Sequence, residues 1–310
     1  MSLNVTAYQK SYKLQESDLL PPDNSCRFCG SADRKGVFEL QTNPDVQLLR
    51  CKNCYAYSSS RMPSDDALAS YYNRYYESGI FEKTGEQVTS DDSFRQASLL
   101  AGKIRKYVPA GDIRILDFGG GDGSISVKMA LELLNYQFPH IEIIVVDLNQ
   151  MEIDSPDSSI TISNTQNLDS VNGEFDIVLA SAILEHLPDP NRIIQSLLKF
   201  LKTDGVFYAR TPSVAKIIST FALMGIKIDF TFPGHLHDLG QKFWNGYMDK
   251  CLPDKRNYVI LESRPSVSET TYRHYFFRSL VSNLLKLPWY ILGSRYEMVG
   301  GWTILIKKIQ

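Results

Sequence analysis

The stretch Ile115-Leu116-Asp117-Phe118-Gly119-Gly120-Gly121-Asp122-Gly123-Ser124-Ile125-Ser126 decides the fold. Its first half is an apolar run ending in a carboxylate, the pattern of a buried strand, and its second half opens a helix expected from Ser124 to Leu134. Between them Gly119, Gly121 and Gly123 make a turn in which glycine permits positive φ and a ligand can lie close to the backbone. Working outward, Ile141 to Asp147 is expected as a second strand, Ile160-Thr161-Ile162 as a third and Phe175 to Ala180 as a fourth. A helix from Asn191 to Leu201 and a fifth strand from Gly205 to Arg210 follow. Strands alternating with helices at this spacing specify an α/β, doubly wound, Rossmann-like parallel sheet.

Three details separate this loop from a dinucleotide fingerprint. The glycines run G-x-G-x-G, with Ser124 where that fingerprint has its third glycine. Asp117 stands just before the loop, unfavourable beside a pyrophosphate and suited to a cation. Asp147, ending the second strand, can accept from both ribose hydroxyls of an adenosine. A ligand with adenosine, a positive charge and no phosphate fits this set: S-adenosylmethionine.

Here the chain resembles the class I S-adenosylmethionine-dependent methyltransferases. ILDFGGGDGSIS is similar to their first motif, IIVVDLN to the second, FDIVLASAILEHLPDP to the fourth strand with its loop, and GVFYARTP to the fifth strand. The likeness is close over residues 93–215. It implies that Gly119, Gly121 and Gly123 line the methionine and ribose, with Asp117 near the methionine amino group and Asp147 on the ribose. Asn164-Thr165 stands where many relatives place an acidic residue against the adenine, and Ser181 would flank the methionine side. The segment Phe232-Pro233-Gly234-His235-Leu236-His237-Asp238 resembles the P-x-H-L stretch bordering the acceptor pocket of relatives, which nominates His235 and then His237 as base. His186, directly after the fourth strand, is the other candidate. A metal set of His235, His237 and Asp238 is weighed and disfavoured.

The first sixty residues carry a different signal. Cys26-x2-Cys29 and Cys51-x2-Cys54, 21 residues apart, have the spacing of two knuckles closing a tetrahedron on structural Zn2+. Gly30 and Tyr55 follow as turn residues, with short strands expected at Val37–Leu40 and Val46–Leu49. The fifth cysteine, Cys251, reads as a small buried hydrophobe. A four-cysteine module before such a domain is similar to bacterial methyltransferases of sugars and natural products. Some of those carry a further C-terminal nucleotide-type domain, which is not expected within these 310 residues.

The expected organisation is an N-terminal extension (1–22), a zinc-ribbon-like module (23–62), a helical connector or lid (63–110) and the methyltransferase domain (111–310), with 211–255 as substrate cap. In the connector, Tyr71, Tyr72, Tyr75 and Tyr76 form one aromatic face, and 82–93 reads as a gating loop. The apolar Val214–Phe230 run is expected to pack into the core. Tyr258–Leu261 and Trp302–Ile306 would finish the sheet around a helix near Tyr275–Lys286.

Thirty-three basic against 35 acidic residues, a net charge of -2, supply no global field to attract nucleic acid. No apolar run reaches the roughly 18 residues of a membrane span. The start lacks a signal core, and a cytoplasmic setting is expected. The resulting expectation is an enzyme moving a methyl group to a small-molecule acceptor, O-directed, with a loop histidine as base. RNA methylation, a non-catalytic scaffold and a nicotinamide oxidoreductase are the alternatives. Composition does not set the oligomeric state.

Overall fold

A computed structural model describes residues 12–77, 93–149, 151–267 and 276–310. The chain opens with β1 (Arg34–Gln41), β2 (Val46–Cys51), β3 (Tyr57–Ser59), α1 (Asp65–Glu77) and α2 (Ser93–Ile104). The α/β part follows as β4 (Ile113–Phe118), α3 (Ser124–Leu134), β5 (Ile141–Val146), β6 (Ile160–Thr165), β7 (Phe175–Ser181), α4 (Pro190–Lys199) and β8 (Leu201–Ser213). Then come α5 (Ala215–Leu223), β9 (His237–Asp238), α6 (Gln241–Lys250), β10 (Tyr258–Pro265), α7 (Phe276–Leu292) and β11 (Gly300–Lys308).

Seven strands form one sheet in the order β10-β11-β8-β7-β4-β5-β6, in which β11 alone runs against the other six. The expected doubly wound sheet is therefore present, and its order reverses between β4 and β7. Ligands of such sheets bind at the carboxyl ends of the strands beside that reversal. Because side chains alternate across a strand, Leu116 and Ile115 enter opposite cores. The first core holds Leu116, Val178, Phe207 and Trp302 under α4 and α6; the second holds Ile115, Ile177, Leu179 and Tyr208 under α2 and α3.

The cysteine module is not a closed unit. Its antiparallel sheet runs β1-β2-β3-β9, so its last strand comes from the loop beyond α5, with Ser58 opposite His237. Cys26, Phe28, Cys51 and Cys54 share the first core with the large sheet. Cys251, at the end of α6, is buried there too, as its reading required.

Several elements run longer than their sequence signal. β6 continues through Asn164-Thr165, β8 begins at Leu201 instead of Gly205, and α7 passes Lys286 and Pro288 to Leu292. The run after β8 needs a correction: Ile217, Ile218 and Phe230 are buried, whereas Leu223, Met224 and Ile226 face solvent. Tyr76's side chain, His274 and positions 82–92 of the expected gating loop lie outside the described residues. Among the described residues no helix is long and apolar enough to cross a membrane.

Candidate active site

The cofactor side is built on the β4–α3 turn. Gly119, Gly121 and Gly123 all take positive φ, +71°, +55° and +67°. They differ in what a side chain would meet. A Cβ on Gly119 would lie 2.4 Å from Ile183 of the loop after β7, whereas one on Gly121 would meet no atom within 4 Å. Gly121 thus presents bare backbone to an open cradle, as close ligand approach demands. Gly120, whose role the motif spacing did not reveal, is obligatory for another reason: its Cβ would sit 2.6 Å from the Asp117 carboxyl carbon.

Asp117 is 3% exposed, and its Oδ2 is buried without a hydrogen-bond partner among the described residues. Burial pushes its pKa up to about 6. A buried carboxylate oxygen left unpaired in a glycine cradle is a receptor for a cation. Asp147, half-buried, accepts from Gly121 N (2.9 Å) and Asn149 N (2.9 Å), tying the end of β5 to the glycine turn. Asn164 Nδ2 donates to Met151 O (2.6 Å) and Thr165 Oγ1 meets Ser170 Oγ (2.8 Å), so both brace the neighbouring loops. Ser181, at the end of β7, accepts from Gln96 Nε2 of α2 (3.3 Å), and Gln96 Oε1 receives Arg210 Nη1 of β8 (3.3 Å). These residues together fit S-adenosylmethionine: an ammonium-seeking carboxylate, an open glycine backbone and a second carboxylate one strand away.

The acceptor side is the β7–α4 loop facing the segment before β9. His186 Nδ1 lies 2.6 Å from Gly234 O, so it carries the proton and donates. Tyr72 of α1 joins that corner, its hydroxyl 3.1 Å from His186 Nδ1 and 3.4 Å from Gly234 O. His235 Nδ1 meets Thr231 Oγ1 at 2.8 Å, and Thr231 Oγ1 in turn donates to Phe230 O. Both rings therefore hold Nδ1–H tautomers and keep Nε2 lone pairs. Their centroids are 4.9 Å apart. Burial lowers both imidazole pKa values, that of His235 to about 3, which keeps them neutral. Glu185 is buried, one oxygen 3.9 Å from His186 Nε2 and the other without a partner among the described residues. Burial raises its pKa to about 7.

Glu185, His186 and His235 bring their ligand atoms within 4.8 Å of one another and could also hold a cation. The set weighed from the sequence, His235 with His237 and Asp238, does not converge. His237 is fully buried, its Nδ1 on Ser58 Oγ (2.8 Å) and its Nε2 donating to Leu187 O (2.9 Å). Asp238 accepts from Val214 N and Ala215 N at the start of α5. Of the three histidines nominated as base, the structure pairs His186 with His235 and spends both nitrogens of His237 on fastening the chain.

The sequence pattern of the methyltransferase domain family matches residues 92–250, just over half of the chain. The chain belongs to the methyltransferase domain family. The matched span of this family member runs from α2 to the end of α6 and takes in every cofactor-side and acceptor-side residue above except Tyr72. Over 115 residues it is 27% identical to a ubiquinone biosynthesis O-methyltransferase of Pseudomonas aeruginosa (strain LESB58), covering 36% of this chain and 50% of that one. A namesake from Actinobacillus pleuropneumoniae serotype 7 (strain AP76) is 33% identical over 107 residues, 32% of this chain and 45% of the other. The chain thus spans about half the length of these curated relatives. Among solved structures, a plantazolicin methyltransferase in complex with a triazolic desmethyl analogue and SAH aligns at TM-score 0.49 and 13% identity, over 79% of this chain and 94% of that one.

The four cysteines of the module converge as well. Their sulfurs lie within 4.8 Å of one another, Cys26–Cys54 at 3.5 Å and Cys29–Cys51 at 3.6 Å, without disulfides. A tetrahedron with Zn–S near 2.3 Å has edges of about 3.8 Å, so the cluster has the size of a zinc site. Each knuckle turns as its sequence demanded: Gly30 N donates to Cys26 O and Tyr55 N to Cys51 O, both residues at positive φ.

Gln96, Thr231 and Arg210 escaped the sequence reading because nothing in their local pattern marks them, and Tyr72 reads only as part of the connector's aromatic face. Their proximity to the site is a product of the fold.

Proposed function

We propose that this chain transfers the methyl group of S-adenosylmethionine to an oxygen of a small-molecule acceptor, using a loop histidine as base. The observation that carries the reading is that Asp117, its Oδ2 without a partner among the described residues, and two Nε2 lone pairs all stand on loops at the carboxyl ends of one sheet's strands. When bound, the cofactor supplies an electrophilic methyl on a sulfonium leaving group. The residues of the chain then have to hold, dry and deprotonate.

Asp117 would take the methionine ammonium, Gly119, Gly121 and Gly123 would admit the backbone-hugging part of the ligand, and Asp147 would hold the ribose. Asn164 and Thr165 would shape the adenine side and Ser181 the methionine side. His186 Nε2 would accept the proton of the acceptor hydroxyl. Glu185, beside it, would stabilise the imidazolium that forms. His235, whose imidazole is harder to protonate, would orient the acceptor. His237 is read as structural.

Cys26, Cys29, Cys51 and Cys54 would bind one structural Zn2+, closed by four thiolates and so without an open catalytic position. Reduced thiols suit a cytoplasmic setting. Tyr71 and Tyr72 reach Gly234 of the acceptor loop and Tyr75 stacks on Tyr71, which supports reading 63–110 as a connector that also walls the acceptor site. The test is transfer of radiolabelled methyl from S-adenosylmethionine to a panel of sugar nucleotides, phenols and total RNA. The reading expects label in a small molecule, lost in His186→Asn. Label confined to RNA would overturn the acceptor class.

A further inference from the structure

The loop after β7 and the loop before β9 are clipped to each other around His235. His186 Nδ1 donates to Gly234 O (2.6 Å) and Leu236 N donates to Glu185 O (2.8 Å), so the residues on either side of His235 are each bonded to the Glu185-His186 pair. The clip holds three side chains in one place. Glu185, His186 and His235 bring a carboxylate oxygen and one nitrogen of each ring within 4.8 Å of one another. Glu185 is 3% exposed, and its Oε2 has no hydrogen-bond partner among the described residues. A buried carboxylate oxygen without a donor is costly unless a proton or a cation meets it.

The two rings are prepared as ligands. Gly234 O takes the Nδ1 proton of His186, and Thr231 Oγ1, whose own hydrogen goes to Phe230 O, takes that of His235 (2.8 Å). Each imidazole keeps an Nε2 lone pair that no hydrogen bond uses among the described residues. An Nδ1–H held by an oxygen acceptor is the arrangement that orients a histidine toward a metal and raises its basicity there. Both rings are half-buried, which leaves an ion an approach. His186 Nε2 lies 3.9 Å from Glu185 Oε1. A tetrahedral ion with bonds of about 2.1 Å spaces its ligands about 3.4 Å apart, so side-chain rotation within the clipped backbone closes the set. Of the surrounding charges, Arg210 bears on Glu185, and so does the buried Asp238 carboxylate with the opposite sign.

We propose that Glu185, His186 and His235 form a metal site on the acceptor side, separate from the cysteine cluster, that takes a first-row divalent ion of the Zn2+ class and silences the base when filled. Two imidazoles and one carboxylate suit such an ion, whereas Mg2+ and Ca2+ prefer oxygen ligands throughout. Three ligands with one negative charge hold an ion less tightly than four thiolates do. The chain therefore carries its first zinc at the cysteines and fills this site from added ion. An Nε2 lone pair that coordinates an ion cannot accept a proton, so occupancy regulates the same residues that deprotonate the acceptor. That consequence, unlike the binding itself, rests on the acceptor-site reading given above.

The test is titration of Co2+ into the full chain, free of any polyhistidine tag and with its cysteine cluster filled by zinc, followed by absorption spectroscopy. One further equivalent should bind with weak d–d bands, without the intense thiolate charge-transfer band that exchange into the cysteine cluster would give, and Zn2+ should displace it. Glu185→Gln and His235→Gln should each weaken binding about tenfold or more, since even outer-shell partners of a metal site are worth that much. Should either variant fail to fold, the imidazole NMR signals of the wild type carry the comparison. Zn2+ should shift those of His186 and His235 and leave that of His237, whose nitrogens are both committed. Zn2+ should also halt methyl transfer in proportion to occupancy, and chelation should restore it. No saturable binding beyond the cysteine cluster, equal binding by wild type and both variants, or His186 and His235 signals untouched by Zn2+ overturns the site. Undiminished methyl transfer at full occupancy overturns the regulation. Co2+ binding that is lost in the variants, in a chain that neither transfers a methyl group nor binds S-adenosylhomocysteine, would support the metal site while overturning the methyl-transfer reading.

Discussion

His237 and Ser58 meet across the seam between the acceptor loop and the cysteine module, Nδ1 to Oγ at 2.8 Å, and their backbones pair as neighbours in one sheet. His235 is two residues away, so the strand that completes the module also positions a candidate acceptor-side ring. Integrity of the module and geometry of the acceptor site are therefore one problem. Cys54→Ser is expected to lose the bound metal, lower the thermal midpoint by several degrees and depress methyl transfer although the cofactor residues are untouched. Metal analysis alongside calorimetry and activity checks this, with one zinc per chain expected in the wild type.

The contribution of His237 to stability should fall on acidification, opposite in sign to those of the buried carboxylates Asp117, Glu185 and Asp238, whose pKa values burial raises. Burial lowers the pKa of His237 to about 3, against roughly 6.5 in an unfolded chain. The unfolded state then binds more protons between those values. The stabilising contribution is whole above about pH 6.5 and is lost as pH falls through the window towards 3. His186 and His235 shift in the same direction. Measured from denaturant midpoints, acidification from pH 7.5 to 5 should therefore be less destabilising for His237→Gln than for the wild type, whatever net slope the carboxylates and the other two rings set.

His186→Asn should cut kcat about a hundredfold or more, the range for loss of a general base, while leaving S-adenosylhomocysteine affinity within a factor of two or so. Glu185→Gln should cost less and shift the pH–rate profile, because the neutral amide cannot stabilise an imidazolium. Steady-state kinetics on the acceptor found by radiolabelling, across pH 6 to 9, separate the two variants.

Two glycines in one loop should fail differently. Gly119→Ala drives a Cβ to 2.4 Å from Ile183 at φ +71° and should destabilise the fold and weaken ligand binding together. Gly121→Ala meets open space and bears mainly the left-handed backbone penalty, about 1–2 kcal/mol. Its methyl group enters the ligand cradle, so it should lose more cofactor affinity than its stability loss explains. Thermal melts and titrations of the two variants, side by side, make the comparison.

Much of this was legible in the sequence because the signals are local. The glycine turn, the strand ending in Asp117 and the paired C-x2-C knuckles each state their geometry within a dozen residues, and the knuckle turns at Gly30 and Tyr55 formed as read. What stayed hidden depends on long-range packing. His235 and His237 look alike on one loop, yet only the pairing of β9 with β3 decides that His237 is locked and His235 keeps a lone pair. The apolar run after β8 reads as core throughout, but α5 buries only one side, and Leu223 at its end, Met224 and Ile226 face solvent.

The central claim is that Asp117 and its glycine turn form a receptor for the methionine ammonium of an adenosyl sulfonium. Calorimetric titration of the wild type and Asp117→Asn with S-adenosylhomocysteine tests it most directly. The account predicts one site per chain at micromolar affinity, weakened at least tenfold by Asp117→Asn, since a charge-assisted bond to a buried carboxylate is lost. Absence of binding to the wild type, or equal affinity in the variant, would contradict it.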